Sequence, residues 1–378
     1  MTDTPKTTSK QMVRREFLRI GGGVAFSAPF VNRAWAQTTE LTMLGWFGTA
    51  EPDMVGAFEE ANNVKFVPKY YAGGDNMLAA LAQNPPGTFD IIHTDAEYAT
   101  LLVANDLAME LDPSDYAFDD LLHEDFQKFP GHWDESGKLY SLISRFGHLG
   151  VSYNTDVLSA EEAASYDVYW DPRLTGKVGH FDWHLPSLGQ MSLLMGNSTP
   201  FDISDAAWQA VREKTLSLRS QVGGYFDFGG TFSGMKNGEM LAMVGIGDWV
   251  TGILERDGAP VSSVVPKEGG IQWTESYSIA KTTQKADLAL KYLAYTMSAE
   301  GQVKTAQMLA YPGHCVTKAG RKMLQEVDPA EAMRSHQMDG MTNEPIALIN
   351  DGRIHYRDIP QQQSLEDWND FWSEYKNA

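Results

Sequence analysis

Tryptophans stand close to carboxylates at several places in this sequence, where strands or loops are predicted to end. The tryptophans are Trp46, Trp183, Trp249 and Trp273. The neighbouring acids are Asp182, Asp248 and Glu275. A ring face attracts an organic cation by roughly 0.5–2 kcal/mol, and a carboxylate accepts charge-assisted hydrogen bonds from an ammonium group. A half-buried core position explains any one tryptophan equally well. The repeated pairing with acids favours a cleft that binds an amine.

A metal site is the first alternative. His180 and His184 are four residues apart, with Asp182 between them and Pro186 after them. On a helix both imidazoles would share one face, but the proline favours a strand leading into a loop. A secreted metal-dependent enzyme that uses His180, His184 and Asp182 remains a second hypothesis.

A ferric-ion carrier is the third hypothesis, because Tyr70 and Tyr71 form a pair. Adjacent residues on a strand point to opposite faces, which weakens this interpretation. Cys315 is the single cysteine, so an intrachain disulfide is impossible and nothing indicates a reactive thiol. The sequence has no P-loop, GxGxxG, HExxH or GxSxG motif, and we expect no cofactor and no resident metal.

The N-terminus predicts export. Arg14-Arg15-Glu16-Phe17-Leu18-Arg19 precedes a short Gly-containing apolar stretch, and Ala34-Trp35-Ala36 forms a small-x-small cleavage pattern. Paired arginines before a weak apolar core are typical of the twin-arginine route. Eleven apolar residues, from Ile20 to Phe30, are too few to span about 30 Å of hydrocarbon. We therefore predict a signal peptide over residues 1–36 and a periplasmic location.

Length and charge bound the remaining chain. Residues 37–378 number 342, which suggests about two domains. The full chain has a net charge of −20; residues 1–36 hold six basic and two acidic side chains, so the remainder carries −24. This charge argues against nucleic acid as a partner and weakly favours cationic ligands, although a solvated acidic surface explains most of it.

The elements that must position these residues alternate between strand and helix. Strand-like Leu41–Phe47 precedes a helical pattern over Pro52–Glu60, and strand-like Phe89–His93 precedes another over Glu97–Asn105. Such alternation predicts parallel sheets covered by helices, with ligands beyond the carboxyl ends of the strands. Trp46 and the turn that ends at Asp95 are therefore candidate site positions.

Later segments predict a crossing strand and several capped helices. Leu139–Asn154 is extended and contains two glycines, so it is a candidate strand that passes between two domains. Ser204 and Ser364 precede helical patterns as N-caps, and Ser364 with Asp367 resembles a capping box. The final helix carries an aromatic stripe that we expect to pack on the protein body, formed by Leu365, Trp368, Phe371, Trp372 and Tyr375.

One segment resembles a known family. Val265-Pro266-Lys267-Glu268-Gly269-Gly270-Ile271-Gln272-Trp273-Thr274-Glu275-Ser276 is similar to the VPKEGG-x-x-W-x-D-S segment of periplasmic spermidine/putrescine-binding proteins of ABC importers. The spacing to Tyr311-Pro312 is also similar, and weaker similarity runs along most of the chain.

The resemblance implies an α/β, two-lobed type II periplasmic binding protein fold with hinge-crossing strands. It implies lobe 1 from residues 37–150 plus 275–312, and lobe 2 from residues 151–274 plus 313–378. It places Trp46 and Trp273 on the aromatic walls, Asp182 and Glu275 on the ammonium groups, and Tyr311 in the cleft. A small-molecule amine and a membrane permease are the implied partners, with the binder a monomer and not an enzyme.

Some positions depart from the family pattern. Thr49 replaces a tyrosine, Asp95 replaces a serine, and Gly245 replaces a tryptophan whose volume Trp249 could refill. Arg145 lies where the family has an apolar or aromatic residue. A guanidinium in the cleft would recruit a carboxylate, so a zwitterionic amino-acid- or opine-like ligand is an alternative to a polyamine. A structural salt bridge explains Arg145 equally well.

Overall fold

Strands and helices alternate along the chain. The structure, a computed structural model, describes residues 38–341 and 343–378. The predicted export signal lies outside the described residues. The strands are β1 Thr39–Gly45, β2 Val64–Tyr70, β3 Ile91–Asp95, β4 Ser141–Leu149, β5 Val151–Asn154, β6 Val178–Phe181, β7 Val222–Phe226, β8 Ala242–Val244, β9 Val261–Val264, β10 Gly270–Ile279 and β11 Ile354–Tyr356. The helices are α1 Pro52–Asn62, α2 Gly74–Gln83, α3 Ala96–Ala104, α4 Glu124–Gln127, α5 His184–Leu194, α6 Asp205–Ser217, α7 Phe228–Lys236, α8 Asp248–Arg256, α9 Ala286–Met297, α10 Ala299–Gln307, α11 Lys318–Val327, α12 Pro329–Arg334, α13 Pro345–Asn350 and α14 Leu365–Asn377.

Six strands form the first sheet. β1 pairs in parallel with β2 and β3, and β10 runs antiparallel to β3 and β4. β11 joins in parallel at the start of β10, beside the part that pairs with β3. Glu275 of β10 lies opposite both Asp95 of β3 and Arg145 of β4. The first sheet therefore sets three charged residues in one row across adjacent strands.

Five strands form the second sheet, in the order β7–β6–β8–β5–β9. β6 is parallel to β7 and β8, whereas β5 is antiparallel to β8 and β9. Both sheets contain the parallel pairs that alternating strands and helices predict. The predicted α/β fold with strands that pass between two sheets is confirmed.

The chain passes between the sheets at Gly150. The predicted extended segment divides there, because β4 belongs to the first sheet and β5 to the second. A Cβ atom on Gly150 would lie 2.1 Å from the carbonyl oxygen of Val264, so a larger residue cannot occupy this position without moving the backbone. The link between β9 and β10 is a second crossing between the sheets. Two boundaries of the predicted division into lobes, after residues 150 and 274, lie near these two crossings.

Strand pairing bears on where that division would lie. Gly270–Gln272 and Ile354–Tyr356, which the predicted division gives to lobe 2, are hydrogen-bonded to each other within the first sheet. The same strand β10 continues to pair with β3 and β4. The division itself stays a prediction. This pairing favours a lobe 1 whose second segment begins at Gly270 and which also includes Ile354–Tyr356.

Helix capping follows the sequence closely. The Ser204 side chain accepts a hydrogen bond from Ala207 N at the start of α6, and Ser364 and Asp367 form a reciprocal capping box on α14. One prediction is wrong: His184 begins α5 instead of lying in a loop. The prediction took Pro186 as a sign of a loop. Proline is nevertheless tolerated in the first turn of a helix, because the N–H that it lacks would have no intrahelical partner there. No helix within residues 38–341 and 343–378 is long and apolar enough to cross a membrane.

The aromatic stripe of α14 packs inward, as predicted. Trp368 is fully buried and stacks on Trp208 with ring centroids 4.9 Å apart and an interplanar angle of 3°. We expect Trp368→Ala to lower the free energy of unfolding by about 3–5 kcal/mol, because a large buried ring leaves a cavity. Urea unfolding measures this loss. Asp370→Ala on the exposed face of α14 is the control, with a change within about 0.5 kcal/mol. A loss below 1 kcal/mol in Trp368→Ala would show that the stack is dispensable.

Candidate ligand-binding site

A cavity of about 450 Å³, partly open to solvent, lies where strand ends of both sheets meet. Its lining is mostly aromatic and includes seven of the ten residues predicted for the site. The predicted residues are Trp46, Asp95, Trp183, Trp249, Trp273, Glu275 and Tyr311. The others are Leu149, Phe181, Pro186, Phe228, Gly245 and Arg357.

The carboxyl ends of parallel strands position much of this lining. Trp46 follows β1, Asp95 ends β3, and Trp183 comes two residues after β6. Such ends are where open α/β sheets bind ligands. Gly245 follows β8 with a φ of 81°, and a Cβ atom there would lie 2.9 Å from Ser187 Oγ. Glycine therefore permits both the turn and the close approach.

The rings come from both sheets and touch one another. Trp46 and Trp183 have ring centroids 5.9 Å apart, and Trp249 lies 6.0 Å from Tyr311. Gly147 of β4 lies opposite Trp273 of β10, and a Cβ atom on Gly147 would be 2.5 Å from the indole ring. The missing side chain lets the Trp273 indole lie against β4. The cavity wall is thus built largely of aromatic rings, the groups whose faces attract an organic cation.

Glu275 is held by three side chains. Its Oε2 accepts a hydrogen bond from Arg145 Nε at 2.5 Å, and its Oε1 accepts one from the Tyr311 hydroxyl at 3.2 Å. His93 Nε2 lies 3.3 Å from Oε2. Arg145 is 1% exposed, and its guanidinium also lies over the Tyr311 ring at 4.1 Å. Arg145 thus sits behind Glu275 and is not among the cavity-lining residues.

Asp95 belongs to a second ion-pair group. Its Oδ2 accepts a hydrogen bond from Trp46 Nε1 at 3.0 Å, and its Oδ1 pairs with Arg357 Nη2. Arg357 Nε donates to Glu97 Oε1 at 2.5 Å. The same guanidinium lies 4.4 Å from the centre of the Trp183 ring. Arg357 therefore neutralises carboxylates of β3 and α3 while it lines the cavity.

Burial raises the pKa of every carboxyl group in these two clusters. It raises the pKa of Glu275 to about 7, although Arg145 opposes the shift. It raises the pKa of Glu97 to about 8 and also raises that of Asp95, and Arg357 opposes both shifts. Burial lowers the pKa of His93 well below its usual range, so this imidazole is neutral near pH 7.

Asp182, predicted to contact an ammonium group, and Asp248, predicted to bind the ligand, are not among the residues that line this cavity. Asp182 accepts hydrogen bonds from Trp372 Nε1 at 2.8 Å and from Lys376 Nζ at 2.7 Å. Asp248 pairs with Arg334 at 2.9 Å. Each of these two carboxylates therefore binds a side chain from a helix elsewhere in the fold.

Most residues of the two metal hypotheses have other partners. His180 Nε2 lies 3.2 Å from the Tyr375 hydroxyl, and its Nδ1 lies 3.4 Å from Ser187 Oγ. Tyr70 donates to Glu51, whereas Tyr71 donates to the His93 carbonyl oxygen. In the part of the chain that the structure describes, no three His, Cys, Asp or Glu side chains form a cluster that could hold a metal ion.

Sequence reasoning missed Arg357, Phe181 and Phe228. Phe181 ends β6 and Phe228 begins α7, so the strand-end rule that selected Trp46 could have found both. Arg357 directly follows β11, and its backbone N–H donates to the Gln272 carbonyl oxygen at 2.9 Å. Only the pairing of β11 with β10 brings it to the cavity, and no local pattern signals that pairing.

A family model for bacterial extracellular solute-binding proteins matches residues 53–327. The chain belongs to this family. The spermidine/putrescine-binding periplasmic protein 1 of Haemophilus influenzae is 24% identical over 285 residues, which cover 74% of this chain and 77% of that protein.

Solved structures share the fold at low identity. The spermidine/putrescine ABC transporter substrate-binding protein of Streptococcus pneumoniae has a TM-score of 0.72 at 15% identity, covering 90% of this chain and 99% of that one. A binding protein from A. tumefaciens R10 in complex with agropinic acid has a TM-score of 0.63 at 18% identity, with coverages of 90% and 99%. The predicted type II periplasmic binding protein fold of this solute-binding protein is confirmed.

Proposed function

We propose that this solute-binding protein captures a polyamine or a related amine in the aromatic cavity and delivers it to the membrane permease of an ABC importer. The observation that carries the proposal is the convergence of four tryptophans with Asp95 and Glu275 in one cavity. Ring faces attract a cation, and the carboxylates add charge complementarity. The relatives named for spermidine and putrescine support the same ligand class. We infer binding without chemical conversion of the ligand.

Closure of two lobes is the proposed mechanism. Trp46 follows a strand of the first sheet and Trp183 follows a strand of the second, so separating the sheets would open the cavity. Gly150 and the link between β9 and β10 are the proposed hinge. A ligand stabilises the closed arrangement to the extent that it binds that arrangement more tightly than the open one.

Export by the twin-arginine route, a periplasmic location and a monomeric binder complete the proposal. The paired arginines before residues 20–30 support the route. The extracellular family supports a location outside the cytoplasm. The net charge of −24 over residues 37–378 supports the exclusion of nucleic acid as a partner.

A zwitterionic ligand is the second candidate, because one guanidinium lines the cavity. Arg357, and not the predicted Arg145, is that residue. A guanidinium can bind a ligand carboxylate while the ring faces hold its ammonium group. The A. tumefaciens R10 protein in complex with agropinic acid has the same fold, which supports keeping this alternative.

Thermal unfolding with added ligands tests the proposal. We expect at least one compound among putrescine, spermidine, γ-aminobutyrate, choline and glycine betaine to stabilise the protein. A ligand at about 100 times its dissociation constant adds roughly 2.7 kcal/mol to the free energy of unfolding. Stabilisation by zinc or ferric ion, with no response to any amine, would contradict the proposal.

A cavity variant connects that stabilisation to the site. We expect Trp46→Leu to weaken binding of the stabilising amine by about 2- to 30-fold, since one cation–π contact contributes roughly 0.5–2 kcal/mol. Isothermal titration calorimetry measures the change. Trp170→Leu is the matched control, because Trp170 contacts Ser217 and Lys214 and does not line the cavity. Equal affinity in both variants would place the ligand elsewhere.

A further inference from the structure

The charges around the cavity nearly cancel. The charged residues that line it are Asp95, Glu275 and Arg357, and their ion-pair partners are Glu97 and Arg145. Three carboxylates face two guanidiniums, which stay charged in proteins. The net charge of these five side chains is therefore −1 when every carboxyl group is ionised. Protonation of any carboxyl group makes this charge less negative. A ligand with two ammonium groups would leave a buried excess of positive charge, which is costly in a site of low dielectric.

The carboxylate oxygens that line the cavity already accept hydrogen bonds from the protein. Asp95 accepts from Trp46 and Arg357, and Glu275 accepts from Arg145 and Tyr311. A primary ammonium group brings three donors that need acceptors after losing water. An alkylated ammonium group has fewer donors, and a quaternary one has none. Part of the acceptor capacity of each carboxylate is therefore used by the protein itself. Aromatic rings supply seven of the thirteen lining residues, and they form the larger part of the surface that the cavity offers to a cation.

We propose that the cavity selects a ligand with a single cationic nitrogen, held mainly by aromatic rings, and that Arg357 sets this limit by cancelling one of the two negative charges of Asp95 and Glu97. This inference rests on the proposed capture of amines and narrows it, because it favours a related amine with one cationic nitrogen over the polyamines for which the relatives are named. Alkylated monocations and zwitterions that contain one such nitrogen fit the charge count. Diamines and triamines exceed it. Arg357 is therefore a specificity-determining residue, whether or not it also contacts an acid group of the ligand.

Calorimetric titration of the purified protein at about pH 8 tests the proposal, because primary amines remain protonated there. The single-cation probes are tetramethylammonium, choline, glycine betaine and γ-aminobutyrate, and the multiple-cation probes are putrescine and spermidine. We expect the best single-cation probe to bind at least about 10-fold more tightly than either polyamine. Tighter binding of putrescine or spermidine than of every single-cation probe would overturn this inference and leave the proposed amine capture standing. No binding of any probe would overturn the proposed function as well.

Two variants test the role of Arg357. Arg357→Met leaves up to two net negative charges, and it also raises the pKa of Glu97, which is about 8 with Arg357 in place. Putrescine should therefore gain affinity relative to choline, and the gain should increase between pH 8 and pH 9 as Glu97 ionises. Arg357→Met combined with Glu97→Gln removes one charge of each sign, and the wild-type preference should return. An unchanged preference in Arg357→Met would overturn the role of Arg357. Cooperative thermal unfolding checks that each variant is folded; if Arg357→Met is not, Arg357→Gln, which keeps a hydrogen-bond donor beside Asp95 and Glu97, takes its place.

Discussion

Glu275→Gln should lower the free energy of unfolding by about 3–5 kcal/mol, because it leaves the Arg145 guanidinium buried without its counter-charge. Arg145 is 1% exposed and Glu275 is 3% exposed, so solvent cannot replace the lost partner. A guanidinium cannot release its proton in a protein, and the charge must remain. Chemical denaturation at about pH 9 measures the loss, because Glu275 is ionised there although burial raises its pKa to about 7.

Arg145→Met should cost less, about 1–3 kcal/mol, because the carboxyl group left behind can take up a proton. Burial already raises the pKa of Glu275 to about 7 with Arg145 in place, and removing Arg145 raises it further. A carboxyl group whose pKa is higher in the folded state stabilises the fold at low pH and loses that contribution as the pH rises through the folded pKa. The Arg145→Met deficit should therefore shrink as the pH falls from 8 to 5.

The double variant Arg145→Met with Glu275→Gln should be more stable than Glu275→Gln alone, because no charge is left unpaired. Glu110→Gln is the matched control: Glu110 pairs with Lys138, and both side chains are 51% exposed. We expect the control to change stability by less than about 1 kcal/mol. A double variant less stable than Glu275→Gln alone would contradict this account of the pair.

The features that sequence reasoning found depend on local spacing. The α14 stripe and the capping residues Ser204 and Ser364 lie within one or two turns of what they contact, so periodicity and cap chemistry suffice to predict them. Trp46 and Asp95 were found by a rule about where parallel strands end, which needs the order of elements and no distant contact.

Two of the tryptophans that are adjacent to an acid in the sequence line the cavity, but their neighbouring acids do not. Trp183 and Asp182 are neighbours in extended backbone just after β6, where successive side chains point to opposite sides. Trp183 lines the cavity and Asp182 meets α14. Trp249 and Asp248 are neighbours in the first turn of α8, and consecutive helical residues do not face each other. Only one residue of each pair could line the cavity.

Long-range pairings decide the remaining features. Arg357 is 262 residues from Asp95 in the sequence, and β11 must pair with β10 before the two side chains can meet. The Arg145–Glu275 contact likewise depends on the register of β4 against β10. A one-residue slip of either strand would turn these side chains to the opposite face of the sheet. Composition and periodicity do not encode that register.

Acid should unfold this protein cooperatively, at about pH 4–5, because many of its histidines are buried in the neutral form. Burial lowers the pKa of six of them, to about 3 or 4 for five and well below the usual range for His93. The other five are His132, His148, His180, His184 and His314. A histidine whose pKa is lower in the folded state stabilises the fold fully above the unfolded pKa of about 6.5 and loses that contribution as the pH falls.

The net slope follows from counting both kinds of group. Each such histidine contributes up to about 1.4 kcal/mol per pH unit below pH 6.5. Among the buried carboxyl groups, Asp95, Glu97 and Glu275 act in the opposite direction, because burial raises their pKa values. The pKa of the half-buried His355 is also lowered and those of the exposed Glu255 and Asp358 are raised, but contact with solvent makes their contributions smaller. Six groups against three leave a loss of up to about 4 kcal/mol per unit between pH 6 and pH 5, and a typical stability of 5–15 kcal/mol is then exhausted near pH 4–5.

Denaturant unfolding at a series of pH values measures this slope. His132→Gln should reduce it by up to about 1.4 kcal/mol per unit, because it removes one buried titrating group while glutamine can still bond Ser276, whose Oγ lies 2.7 Å from His132 Nε2. His314→Gln should reduce the slope by a similar amount, and the two reductions should add for sites that share no partner. Stability that stays constant or rises from pH 6.5 to pH 5 would mean that the buried carboxyl groups outweigh the histidines, contrary to the count of six against three.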